Sequence, residues 1–281
     1  MKERMVCSWA HISCAVFLSL LIATPVFAAI PLITDDTGTQ GKGKFQVELF
    51  GEYGHDKEER VTSNNSDLSA ALTYGLIDPI DIVLSVPYQV WRTDDSDSVA
   101  TENGIGDLAF EATWRISEIG DWSFALKPGL TIPTGSDSRG LGAWKATYHV
   151  FSIAAYNAGE ERFAPEGRRI ERPEEKALHH AEWSAYCSAT YTRNENSIGE
   201  RMDLWSFSAA GSVEFIEDFY VVADLGAQTN TDAASSTCPA YFLTGFIYSP
   251  AENMDLGLGV IFGLNSAEAD YSVRDGITFR F

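Results

Sequence analysis

The last six residues of the chain alternate between apolar and polar side chains. Ile277, Phe279 and Phe281 are apolar, and Thr278 and Arg280 between them are polar. Because successive side chains of a strand point to opposite faces, this stretch has one apolar and one polar face up to its final residue. That pattern is typical of the strand that closes a bacterial outer-membrane β-barrel. The alternative is an edge strand of a soluble sheet.

The beginning of the chain has the features of a secretory signal. Lys2 and Arg4 precede an apolar run over residues 15–27, and small residues follow it. We therefore predict a signal peptide over residues 1–28 that is cleaved on export. A retained membrane anchor is the alternative, but the apolar run is short for a membrane helix. Export predicts a location in the outer membrane of a Gram-negative cell.

The composition excludes several classes of function. Acidic residues number 40 and basic residues 20, so the formal net charge is −20. A surface this acidic repels nucleic acid, and no nucleic-acid partner is expected. No stretch after the signal approaches 18 consecutive apolar residues, which excludes a transmembrane helix. The sequence has neither a CxxC motif nor a histidine-rich tract, so we predict no metal site and no cofactor.

Segments of alternating polarity recur along the rest of the chain and predict an all-β fold, an antiparallel transmembrane barrel of about 12 strands. Residues 29–43 are expected to form an N-terminal periplasmic segment, and residues 44–281 the barrel. Whether Ile30 to Lys42 enters the lumen is left open. The predicted strands lie near 44–54, 67–77, 80–92, 104–116, 121–133, 143–157, 181–193, 203–216, 218–230, 239–249, 253–264 and 272–281.

Loop lengths alternate, which indicates the side of the membrane that each loop faces. With both termini in the periplasm, the periplasmic links are tight turns and the outer links are long and polar. One periplasmic link departs from this rule, an insertion at about 158–180. It is either a solvated insertion or a docking site for an acidic partner. Its basic cluster consists of Arg162, Arg168, Arg169, Arg172 and Lys176.

Aromatic residues are expected to form two belts at the ends of the predicted strands, as interfacial anchoring requires. The periplasmic belt is predicted to contain Phe45, Tyr74, Trp114, Trp122, Phe215, Phe219, Tyr248 and Phe281, and the outer belt Tyr53, Trp91, Trp144, Tyr191 and Trp205.

The polar face of each strand is predicted to line the lumen, because ionisable groups at membrane depth belong in the interior. Glu111 and Lys127 are expected to face each other across neighbouring strands. Such a pair either fills the lumen or acts as a selectivity element. The lumen-lining candidates are Gln46, Glu48, Glu52, Asp107, Glu111, Arg115, Lys127, Lys145, His149, Glu182, Asp224 and Gln228.

Several glycine-punctuated motifs occur in the order seen in a known family. They are residues 33–43, 72–76, 104–108, 243–249, 263–265 and 275–278. In these motifs the chain resembles the MetA-pathway proteins of phenol degradation. The resemblance implies an outer-membrane, transporter-like barrel. It carries over no catalytic residue.

The leading functional hypothesis is a channel for passive passage of small solutes, and the family resemblance alone suggests aromatic or weakly polar compounds. A non-conducting structural or docking barrel that uses the basic segment is the first alternative. A lipid hydrolase is the second, but there is no GxSxG motif, and Ser152 and His149 fall on opposite strand faces. The expected partners are outer-membrane lipid, a small-molecule solute and, through the C-terminal strand, the barrel-assembly machinery.

Overall fold

The computed structural model describes residues 30–58, 60–95, 98–158, 183–196 and 199–281. The predicted signal peptide, the basic cluster and Glu182 lie outside these residues. The described residues contain one short helical turn, a 3₁₀ turn at Asp137–Arg139, and no helix among them is long and apolar enough to cross a membrane. Their strands are β1 (Phe45–Glu58), β2 (Val61–Ile77), β3 (Ile80–Asp95), β4 (Ser98–Ile105), β5 (Leu108–Ile119), β6 (Trp122–Ile132), β7 (Thr147–Ala158), β8 (Trp183–Arg193), β9 (Asp203–Ile216), β10 (Phe219–Gln228), β11 (Ala240–Ala251), β12 (Met254–Gly263) and β13 (Tyr271–Arg280).

The strands form one closed antiparallel sheet. Strand β1 pairs with β2 on one side and with β13 on the other, β2 pairs with β3, and the remaining strand positions pair with their neighbours, so the sheet closes on itself. Strand β3 pairs with β5 along its first half and with β4 along its second half. Because β4 and β5 share one position in the wall, the barrel has twelve strand positions. The predicted fold class is confirmed.

The break between β4 and β5 falls at Gly106 and Asp107, inside the single strand predicted over 104–116. The carboxylate of Asp107 accepts hydrogen bonds from the backbone N–H groups of Gly135 (2.8 Å) and Ala143 (2.7 Å). The connection between β6 and β7 is therefore anchored to the wall at this break. The alternation of apolar and polar residues continues on both sides of this break, so the sequence pattern does not reveal it.

Two segments predicted as outer loops are largely strand. Strand pairing between β1 and β2 continues to Glu58 and Val61, and between β3 and β4 it continues to Asp95 and Ser98. The prediction of loops over 55–66 and 93–103 was wrong in this respect. Both faces of a hairpin that projects into water can be polar, so polarity alone does not end a strand.

The exterior of the barrel is apolar and carries aromatic residues near both ends. Exposed leucines such as Leu49, Leu72 and Leu258 face outwards between these ends. At the end where β1 begins and β13 finishes, here the terminal end, the Phe45 and Tyr74 rings lie 4.7 Å apart. At the opposite end, here the loop end, the rings of Tyr191 and Trp205 lie 5.0 Å apart. This exterior is that of a barrel that spans a membrane.

Candidate functional site

The barrel interior contains the beginning of the described chain. Residues 30–43, here the N-terminal segment, precede β1 and run through the lumen. The side chains of Leu32, Thr34, Asp35 and Thr37 are all buried. The segment starts against β12 and β13, crosses to β6 and returns to the terminal end. The question that the sequence left open is answered for these residues, because they enter the lumen.

An interior carboxylate holds the first part of the N-terminal segment. Asp224 on β10 accepts hydrogen bonds from the backbone N–H groups of Ile33 (2.7 Å) and Thr34 (2.6 Å) through Oδ2. Its Oδ1 accepts from the hydroxyl groups of Thr34 (2.9 Å) and Tyr241 (3.1 Å). Four donors therefore stabilise one buried carboxylate, and the segment supplies three of them.

A chain of buried ionisable groups holds the next part of the segment. Lys127 Nζ lies 2.8 Å from Asp35 Oδ2 and 3.4 Å from Glu111 Oε2. The other oxygen of Glu111 lies 2.9 Å from His149 Nε2. One cation thus neutralises carboxylates from both the segment and the wall. Buried charges require such pairing, because leaving one alone in the interior is costly.

The return of the segment to β1 is fixed at the terminal end. Thr37 and Ser123 share a hydrogen bond between their hydroxyl groups. The backbone N–H of Gln40 donates to Asp81 Oδ2 (2.8 Å), and that of Lys42 donates to Asp78 Oδ1 (3.0 Å). Hydrogen bonds therefore attach this part of the segment to several places on the barrel, so it is not held in the lumen by packing alone.

Glycines make room for the first residues of the segment. Inward-facing glycines of β11, β12 and β13 lie beneath Ile30 and Pro31. A Cβ atom at Gly257 would lie 2.6 Å from the Ile30 carbonyl carbon, and one at Gly259 would lie 2.9 Å from Pro31 Cβ. Because real Cβ atoms do not approach so closely, alanine at Gly257 is incompatible with the present path of the segment. A Cβ at Gly276 would lie 2.7 Å from Ile30 Cδ1, the end of a flexible side chain, and 2.7 Å from the Leu49 carbonyl oxygen of the neighbouring strand.

The wall that faces Leu32 is apolar. Leu32 is 2% exposed and packs into a cluster with inward-facing side chains from β9 to β12. The opposite wall, from β1 to β7, carries the charged groups that surround Lys127. The interior is therefore divided into an apolar side and a charged side, and the segment contacts both. The wall residues of the cluster, here the apolar wall, are Ala210, Val222, Leu243 and Ile261.

The structure places the lumen-lining candidates in three groups. The candidates buried in the interior are Glu48, Glu111, Lys127, His149 and Asp224. Those half-buried, at inward-facing positions or at the β4–β5 break, are Gln46, Glu52, Asp107 and Arg115. The exposed ones are Lys145 and Gln228.

Two of these placements differ from the sequence analysis. Lys145 was predicted to lie in a strand, but β7 begins only at Thr147, so Lys145 belongs to the exposed connection before it. Glu111 contacts Lys127, yet its direct cross-strand partner is Gly129. Strand β5 continues to Ile119 and β6 begins at Trp122, with a one-position register shift between Arg115 and Ser117, so Glu111 pairs two positions beyond Lys127. The long lysine side chain spans this diagonal.

Several interior residues were not among the candidates. Asp35 lies in a segment without strand or helix periodicity, so alternation could not place it. Arg274 is buried on β13, where its guanidinium carbon lies 4.9 Å from the Phe50 ring centroid and its Nε 3.9 Å from Glu52 Oε2. The alternation of β13 was sufficient to place Arg274 inside. Asp81 was identifiable in the same way on β3.

The residues considered for hydrolysis lie on opposite sides of the wall. His149 is buried in the lumen, whereas Ser152 is exposed on the exterior. Their separation of three positions along β7 accounts for this. These two residues therefore do not form a nucleophile–base pair. Among the described residues, no group of three or more histidine, cysteine or acidic side chains is arranged to hold a metal ion.

Comparison with known proteins connects this interior to a family. Residues 30–159 match the family model described as "Putative MetA-pathway of phenol degradation". The resemblance seen in the sequence motifs is confirmed over this range, which contains the N-terminal segment and the charged wall. No curated protein sequence matches the chain.

Solved structures share the fold. A crystal structure of an outer membrane channel from Pseudomonas putida F1 is similar with a TM-score of 0.58 and 15% sequence identity, covering 88% of this chain and 98% of that one. The translocator domain of the autotransporter NalP from Neisseria meningitidis is similar with a TM-score of 0.50 and 10% identity, covering 86% and 89%. At these identities the likeness shows a shared barrel fold.

Proposed function

We propose that the protein is an outer-membrane channel through which small solutes diffuse, and that its N-terminal segment narrows the passage. The observation that carries this proposal is a closed barrel with an apolar exterior and a charged interior. Ionisable groups at membrane depth are commonly found along solute and ion pathways, where they are paired or hydrated. The likeness to the outer membrane channel of Pseudomonas putida F1 and the family match both support it.

The proposed orientation places the terminal end in the periplasm. Its described turns are short, such as Asp78–Pro79, and the described connections at the loop end are longer, such as residues 229–239. Outer-membrane barrels have short periplasmic turns and long outer loops. The N-terminal segment then enters the lumen from the periplasmic side. Export by the predicted signal peptide is part of this proposal.

The proposed solutes are small and neutral, or aromatic and weakly polar. The family description supplies the aromatic part of this proposal. The division of the interior supports it, because the apolar wall offers contact to an apolar solute. The charged groups of the opposite wall suit a solute that also carries a polar group.

Liposome swelling tests the proposal with a solute that needs no specific site. Vesicles containing the refolded protein should admit arabinose faster than vesicles without protein. A variant with Asp35→Asn and Leu32→Gly should admit it faster still, because two of the contacts that hold the N-terminal segment are weakened. Swelling at the protein-free rate by both proteins would contradict a channel.

The second candidate is a non-conducting barrel, and one specific observation favours it. The N-terminal segment is attached to the wall at Asp224, Lys127, Ser123 and Asp81, and these attachments would keep it in the lumen as a fixed plug. The basic cluster at 158–180 would then be the working surface, through which the barrel docks a partner. Replacing its four arginines by glutamine should abolish partner binding and leave the barrel folded. If binding persists, the docking role is excluded.

A further inference from the structure

The first residues of the N-terminal segment fill a site whose shape and chemistry suit a small ring-shaped solute. Pro31 places its own five-membered ring on Gly245 and Gly259, where a Cβ atom would come within 3.0 Å of that ring. The wall beneath it is bare backbone from two neighbouring strands, which pair at these two glycines. A bare backbone surface of this kind accommodates a flat ring that any side chain would exclude.

The neighbouring part of the site is an apolar surface covered by side chains of the segment. Leu32 fills the space beside the apolar wall, Ile33 packs against the same cluster, and Tyr186, Tyr241 and Ile247 border it. Leu243 in this wall has no exposed surface while Leu32 is present. Withdrawal of Leu32 uncovers a continuous apolar surface inside an otherwise polar lumen. Apolar solutes of similar volume gain the same burial that Leu32 gains.

A single strong acceptor lies at the edge of this apolar surface. Asp224 receives three of its four hydrogen bonds from the N-terminal segment and the fourth from Tyr241. If the segment leaves, the carboxylate loses three donors in a buried position. A hydroxyl group on a solute in the site would replace one of them, whereas a hydrocarbon would leave the carboxylate unsatisfied.

We infer that the site filled by residues 30–34 binds a small apolar ring with one hydrogen-bond donor, and that solute and segment compete for it. This inference rests on the proposed channel function and names its solute class and its binding site. Solute entry then displaces the start of the segment and widens the passage. The base of the segment stays attached, because Gly43 donates its N–H to the Gly75 carbonyl (2.7 Å) and Lys42 donates to Asp78.

Binding of p-cresol to the refolded full chain, measured by titration calorimetry, tests the competition. The Leu32→Gly variant should bind p-cresol at least tenfold more tightly than the unmodified protein, because the competing side chain is gone. The matched control is Leu141→Gly, which removes an equally buried leucine from the connection between β6 and β7. This control should bind as the unmodified protein does. Thr34→Ala, which removes one donor to Asp224, should shift affinity in the same direction as Leu32→Gly.

A second measurement reports on the segment itself. Saturating p-cresol should accelerate hydrogen exchange at the N–H groups of Ile33 and Thr34 at least tenfold, and arabinose should not. Equal affinity of the two glycine variants, or unchanged exchange with p-cresol bound, would overturn the inference. Arabinose swelling of liposomes with the same preparations separates the two claims. If swelling is normal but p-cresol does not compete with the segment, the inferred site is wrong and the channel function stands. If there is no swelling, both the site and the channel function are wrong.

Discussion

Lys127 and Asp35 form an ion pair in the lumen, with 2.8 Å between Nζ and Oδ2, although 92 positions separate them in the chain. The lysine belongs to the wall and the aspartate to the N-terminal segment. The pair therefore attaches the segment to the charged side of the barrel. Because Lys127 also contacts Glu111, removing it leaves two buried carboxylates without their cation.

Lys127→Met is expected to destabilise the barrel by about 3–5 kcal/mol, the cost of leaving an uncompensated buried charge. Urea unfolding in lipid vesicles measures the change. The control is Lys145→Met, the same substitution at an exposed lysine, which should alter the free energy of unfolding by less than about 0.5 kcal/mol. Equal effects of the two substitutions would show that the buried pair contributes nothing.

Gly257→Ala is expected to displace the start of the N-terminal segment without disturbing β12. An alanine side chain there collides with the backbone of Ile30, whereas alanine is tolerated within a strand. Hydrogen exchange at Ile33 and Thr34 should become faster. Gly211→Ala is the control, because its Cβ would lie 3.4 Å from the Ser184 carbonyl oxygen, an ordinary contact. Unchanged exchange in the Gly257 variant would contradict the described path.

The ionisation of Glu268 is expected to make the position of its loop, at the loop end of the barrel, depend on pH. Burial, with a smaller contribution from the nearby Glu52 and Asp56, raises the pKa of this loop carboxyl from 4.5 to about 7. Since the folded pKa is raised, protonated Glu268 stabilises the folded loop at low pH, and this contribution is lost as the pH rises through about 7. Above that pH the loop should move away from the barrel mouth.

Channel conductance measured from pH 5 to pH 8.5 checks this expectation. Conductance should increase with pH around 7 in the unmodified protein and should be independent of pH in Glu268→Gln. Glu102→Gln, at the same end of the barrel, should retain the increase. A pH response that survives Glu268→Gln would assign it to another group.

Asp275 is a charged residue on the apolar exterior. It is exposed on β13, where it pairs with Gly51 and Leu258. A carboxylate that faces lipid below the aromatic belt is unfavourable, so Asp275→Leu should stabilise the barrel in vesicles by about 0.5–1 kcal/mol. Asp137→Leu, in the 3₁₀ turn, should give no such gain. A loss of stability with Asp275→Leu would show that this strip of the exterior does not face lipid.

Sequence alternation was sufficient to place Glu111, His149 and Asp224 inside the barrel. The period of two along a strand is a local property, so it needs no knowledge of the neighbouring strands. The register between strands is not local, because it depends on where the turn after Ile119 lies and on the one-position shift near Arg115. For this reason the contact with Lys127 was predicted correctly and its geometry was not.

The N-terminal segment could not be placed from sequence, because it has neither helical nor strand periodicity. Its contacts connect Asp35 to Lys127 and Thr34 to Asp224, which only the closed barrel brings together. The spacing of Gly257 and Gly259 was visible, and in a strand it indicates a close approach of another backbone. That signal identifies the wall that receives the segment but not the segment itself.

The most direct test of the account is single-channel conductance of the refolded barrel in a planar bilayer. The account predicts discrete openings for the unmodified protein. It predicts a larger unit conductance for the variant with Asp35→Asn and Leu32→Gly, and an unchanged one for Leu141→Gly. The absence of openings from both the unmodified and the double-variant barrel, each shown to be folded, would contradict a channel narrowed by its own N-terminal segment.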